Sequence, residues 1–167
     1  MGILTIILID KAGNPKEEKQ RKKEEALDIF PYPLHPMVVH FPIALLVTAL
    51  GLELSSHLFK RESLHRSALQ IFILAALVTP LVVRTGLWEA ERLHLSHPVL
   101  ELHQNFALWT MWTALMSCPI LWYLKKAEAK FFHIFFFLVL ISLVSFVSLT
   151  AHQGGRMVYE YAVGVEQ

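Results

Sequence analysis

The stretch "FFHIFFFLVLISLVSFVSLTAH" (residues 131–152) contains no Asp, Glu, Lys or Arg from end to end. At a helical rise of about 1.5 Å per residue, roughly 20 apolar residues cross the hydrocarbon layer of a bilayer. The segment therefore reads as a membrane-spanning helix. Three upstream segments have the same character, at about 37–56, 67–88 and 99–124, the last with a polar start at Glu101, His103, Gln104 and Asn105. Composition agrees: 54% of the chain is hydrophobic and only 17% charged, too apolar for an ordinary soluble domain. Short connections make consecutive spans run antiparallel. The expected fold is all-α, an integral membrane four-helix up-down bundle over 34–167 behind a short polar N-terminal tail, 1–33.

Trp88, Trp122, Tyr123, Tyr159 and Tyr161 fall near span ends, where an aromatic belt sits. Pro80 and Pro119 lie inside spans, where neighbouring helices accommodate a kink. In the tail, "DKAGNPKEEKQRKKEEALD" (10–28) reads as a solvated arm or surface helix. The apolar "ILTIILI" (3–9) is too short for a signal sequence and suits contact with a partner. A net charge of +1 argues against nucleic acid as a partner. Cys118 is the only cysteine, so no internal disulfide forms, and the missing C-x-x-C-H excludes c-type haem attachment within this chain.

Antiparallel spans gather His35, His40, His94, His97, His103 and His152 at one end of the bundle, leaving His57, His65 and His133 at the other. Six of nine histidines thus share a layer although they come from four distant parts of the chain. The connections at the opposite end carry Lys60, Arg61, Arg66, Lys125, Lys126 and Lys130, which places that end in the cytoplasm and the histidine layer outside. The basic residues of the tail pull the other way.

A neutral imidazole in a membrane is costly unless both ring nitrogens are used. Metal ligation uses one and leaves the other for a supporting hydrogen bond. Haem iron in an electron carrier needs two histidines from different helices, with small neighbours leaving room for the macrocycle. At helical spacing, His40 is followed by Ala44, Thr48 and Gly51, and His103 by Ala107, Thr110 and Ala114; His152 is preceded by Ser148 and Ser145. His40, His103 and His152 are therefore the candidate metal ligands, with His35 as a further ligand or hydrogen-bond partner. The bland reading is that small residues merely bring helices together and histidines at span ends snorkel. His94 and His97 lie in a loop and read as solvent-facing. Arg84 and Arg156 are candidate partners for haem propionates, or else pair with nearby acids such as Glu89. Glu53 is expected to snorkel towards the cytoplasmic end. Gly154-Gly155 reads as the stop of the last helix, a diglycine that also lets backbone approach a cofactor.

"HPMVVHFPIALL" followed, three apolar segments later, by "TAHQGGRMVYEYAVGV" resembles the domain of unknown function 2231 family, over about residues 34–165. The resemblance implies a bacterial four-helix inner-membrane protein and carries the family histidines onto His35, His40, His103 and His152. Association of such domains with c-type cytochrome modules implies haem b and electron transfer. Arg156 and Ala162 depart from the family pattern.

These readings lead to a haem b-binding subunit, with one haem ranked above two, passing electrons between a redox partner and another carrier. A c-type cytochrome or iron–sulfur subunit is the expected partner and quinone a candidate carrier, within a larger membrane complex. No nucleophile, acid–base pair or phosphate loop marks it as an enzyme on its own. The alternatives are a non-redox structural anchor and a copper or zinc site in the same histidine layer.

Overall fold

A computed structural model describes residues 34–162 except 129. Readings that fall on 1–33 and on 163–167 lie outside the described residues. The described residues form five helices: α1 (Leu34–Val38), α2 (His40–Phe59), α3 (Glu62–Arg92), α4 (Pro98–Lys126) and α5 (Phe132–Tyr159). α1 and α2 form one apolar span, Leu34–Phe59, so the described residues hold four helices long and apolar enough to cross a membrane, of 26, 31, 29 and 28 residues. At about 1.5 Å per residue they are about 39–47 Å long, enough to carry their ends into the headgroup layers of a bilayer. The protein is a multi-pass membrane protein.

The helices extend beyond the ranges read from hydropathy, because a helix does not end where its apolar stretch ends. α3 starts at Glu62 rather than near 67 and ends at Arg92 rather than near 88. α5 runs through Gly154-Gly155 to Tyr159, so the diglycine is not a stop. Neither glycine takes the left-handed conformation that a glycine stop uses. Lys60 does take it (φ 52°), closing α2 with its N–H on the Ser56 carbonyl and turning the chain into α3 within two residues. His97 is extended and caps α4, its Nδ1 accepting from the Val99 N–H at 3.2 Å, with Pro98 at the first helical position. Its ring lies 4.6 Å from that of Tyr161, so His97 is a structural cap rather than a free loop side chain.

Each span packs on its neighbour in sequence, and α2 packs on α5 to close the ring; among the described residues the diagonal pairs meet only through side chains. The inward face of every helix follows alternating steps of three and four residues, the repeat of left-handed helix packing. On α1–α2 it reads His35, Val39, Pro42, Leu46, Ala49, Glu53, Ser56, and on α3 His65, Ala68, Phe72, Ala75, Thr79, Val82, Gly86. On α4 it reads His103, Ala107, Thr110, Ala114, Ser117, Leu121, and on α5 Phe136, Leu140, Leu143, Val147, Thr150, Gly154. Alanines at 49, 68, 75 and 114 are fully buried and let the helices close on one another. Close packing of this kind is what associates helices in lipid, where outer side chains gain nothing by turning inward. Large residues such as Leu77, Leu81, Trp109, Trp122 and Ile134 accordingly face outward.

These faces also reveal an internal repeat. Adding 68 to a residue number carries the α1–α3 hairpin onto α4–α5: His35 onto His103, His65 onto His133, and Gly86 onto Gly154. The identities are sparse, but all three pairs sit at matching places in the fold. The repeat runs in the same direction through the membrane in both halves, so its partners meet at the same end of the bundle.

Candidate functional site

At the end where α1 and α4 begin, the two repeat-related histidines meet. His35 and His103 have ring centroids 6.1 Å apart and ring planes at 89°. Each ring is held by a carbonyl from the second helix of its own hairpin, 47 residues away in both cases. His35 Nδ1 donates to the Val82 carbonyl at 3.2 Å, with Thr85 Oγ1 at 3.4 Å. His103 Nδ1 donates to the Thr150 carbonyl at 2.9 Å. A carbonyl can only accept, so the proton of each neutral ring sits on Nδ1 and Nε2 is left with a bare lone pair. That division of labour is typical of metal-bound histidine.

The carbonyls are reachable for a local reason. A helical side chain leans back over the preceding turn, so the residue four places after a carbonyl tends to shield it. Four places after Val82 stands Gly86, and four after Thr150 stands Gly154. A Cβ on Gly86 would lie 2.8 Å from His35 Cε1, and one on Gly154 would lie 3.4 Å from His103 Cε1. The same device thus seats both rings. Glu89 adds to the first by accepting the His35 backbone N–H at 3.1 Å.

Both rings line a cavity of about 550 Å³ walled by apolar side chains that include Leu46, Val83 and Val147. His40, Ala107, Gly154 and Tyr159 also line it. His40 is exposed and its Nδ1 donates to the Pro36 carbonyl one turn back, at 3.1 Å. His152 is exposed and does not line the cavity. Arg84 is exposed, and Glu89, one of its alternative partners among the nearby acids, accepts from the His35 backbone N–H. Arg156 is engaged by Glu160 at 2.8 Å, Tyr161 at 3.0 Å and Gln153 at 3.3 Å.

Of the three small-residue stripes only one faces inward. Ala107, Thr110 and Ala114 continue from His103 into the bundle, whereas Ala44, Thr48 and Gly51 below His40, and Ser145 and Ser148 before His152, are exposed. The exposed serines return their hydroxyls to their own helix, on the Ile141 and Val144 carbonyls. Register separates His35 from His40: His35, not His40, lies on the three–four repeat that ends at Glu53 and Ser56.

At the opposite end, Glu53 is fully buried rather than snorkelling. Its Oε2 accepts from His65 Nδ1 at 2.7 Å because the two-residue turn places α2 and α3 in register there. Across from it the second repeat-related pair meets, the His65 and His133 ring centroids lying 4.3 Å apart.

No curated protein and no solved structure matches this sequence. Residues 31–167 match the family model described as "Predicted membrane protein (DUF2231)", and the chain belongs to that family.

Proposed function

We propose that this protein is a haem b-binding membrane subunit, in which His35 and His103 would hold the iron. The observation that carries the reading is their arrangement: two rings from distant helices, each with Nδ1 committed to a carbonyl, face one cavity with Nε2 unprotonated. A metal bonded to one nitrogen of each ring at roughly 2 Å sets the ring centres about 6 Å apart. The observed separation is 6.1 Å. The volume of about 550 Å³ lies in the range of cofactor pockets, roughly 300–1,000 Å³. Two inward histidines fall short of the three or four protein donors that hold a lone zinc ion, which favours a macrocycle supplying the rest.

Bound haem supplies reversible one-electron chemistry. The chain's own residues do the remainder. Val82 and Thr150 fix the tautomer and orientation of the two rings, and Gly86 and Gly154 leave the rings space. Leu46, Val83 and Val147 keep water from the cavity, while His40 and Tyr159 stand beside it without being needed as ligands. The site's position at the end of the bundle suits exchange with a partner docked there, a c-type cytochrome or iron–sulfur subunit, with quinone as a second carrier. The basic connections at the other end support an orientation with this end in the periplasm, and the family resemblance a bacterial inner membrane.

The test is the haem content of the full chain purified in detergent. One non-covalent haem per chain, with a sharp α band in the reduced-minus-oxidised spectrum, is expected. A protein without haem, in isolation and in its native membrane, would leave a structural anchor.

A further inference from the structure

We infer that the end of the bundle opposite His35 and His103 holds a site for a divalent transition metal of the zinc class, with Glu53, His65 and His133 as its ligands. The three come from α2, α3 and α5, and one donor atom from each lies within 4.8 Å of the other two. Glu53 and His65 are buried while His133 is exposed, so the donor set opens outward at one corner only.

Two observations point to a ligand rather than to a plain ion pair. Glu53 is wholly inaccessible, and while its Oε2 is satisfied by His65, its Oε1 has no hydrogen-bond partner. The nearest candidate, His57 Nδ1, stands 3.6 Å away and already donates to the Glu53 backbone carbonyl at 2.9 Å. An unsatisfied carboxylate oxygen in such a place is costly unless a cation meets it. The second observation is access. His65 and His133, though not the buried Glu53, line a cleft of about 450 Å³ together with Glu62, Arg66, Lys125 and Glu128. The cleft gives an ion a path in and leaves a coordination position open to water or to a further ligand.

Two imidazoles and a carboxylate are the donor set of zinc sites that keep one position open. Cobalt(II), nickel(II) and copper(II) suit the same nitrogen and oxygen donors. Internal symmetry explains half of the site: His65 and His133 are repeat partners, as His35 and His103 are at the other end. The repeat partner of Glu53 is Leu121, so the carboxylate that makes this end a metal site belongs to one hairpin alone.

The experiment uses the full chain in detergent, stripped with a chelator and reloaded with zinc chloride alone, with bound metal counted by mass spectrometry. About one zinc per chain is expected for the unaltered protein. Affinity should fall at least about 100-fold in both Glu53→Gln and His133→Ala, given that even supporting residues cost 10–100-fold. His133 is exposed at the start of α5, so its variant keeps the decision open if Glu53→Gln fails to fold. Cobalt(II) loading reports the geometry through its visible absorption, which should vanish in the same variants. His103→Ala should leave zinc binding unchanged, separating this site from the haem proposal. No retained zinc in the unaltered protein, or zinc retained equally by His133→Ala, overturns the inference.

Discussion

Gly86 stands so close to His35 that a Cβ there would lie 2.8 Å from the ring's Cε1 and 2.9 Å from its Nδ1. The ring, its carbonyl and the glycine form one unit, repeated 68 residues later as His103, Thr150 and Gly154. The cavity is therefore flanked by two copies of a single local device.

Gly86→Ala should displace the His35 ring and weaken haem retention, with little loss of helix content, since alanine is the better helix former by about 1 kcal/mol. Gly155→Ala is the matched control, because nothing lies within 4 Å of a Cβ at that position. The ratio of the α band to protein absorbance in the two purified variants measures the difference.

The ring planes stand at 89°. Perpendicular imidazoles leave the two iron d orbitals that interact with them nearly equal in energy. The oxidised protein should then give the strongly anisotropic low-spin electron paramagnetic resonance signal of such haems. A rhombic signal of the kind given by parallel rings would contradict the placement of His35 and His103.

His65→Ala should destabilise the bundle by about 3–5 kcal/mol, because it strands the buried Glu53 carboxylate without its hydrogen-bond donor. His57→Ala removes a side chain that is half exposed, and should cost far less. Thermal unfolding in detergent, followed by circular dichroism, compares the two without reference to haem.

Much of the architecture is legible in the sequence. Long uncharged runs such as 131–152 mark the spans, and short connections fix their directions. The inward faces are harder to read, because lipid reverses the usual contrast. In water the apolar face turns inward, but here Leu77, Trp109 and Ile134 face out while Ala49, Thr110, Glu53 and His65 face in. Amphipathicity therefore says little, and the small residues beside His40 and His152 face outward. The readable clue is the three–four spacing that links His35 through Leu46 to Glu53. A second clue is the recurrence of His, His and Gly at an offset of 68, which pairs His35 with His103 across chain segments that otherwise share few identities. Glu53 reads as a snorkelling acid because it lies close to the span end, whereas the His65 donor that holds it inside comes from the next helix.

The most direct test compares haem stoichiometry, by pyridine haemochrome, in the four single alanine variants at His35, His103, His40 and His152. The account predicts that His35→Ala and His103→Ala each lose the haem, while His40→Ala and His152→Ala keep about one per chain. Retention in His35→Ala or His103→Ala, or loss confined to His40→Ala and His152→Ala, would contradict it.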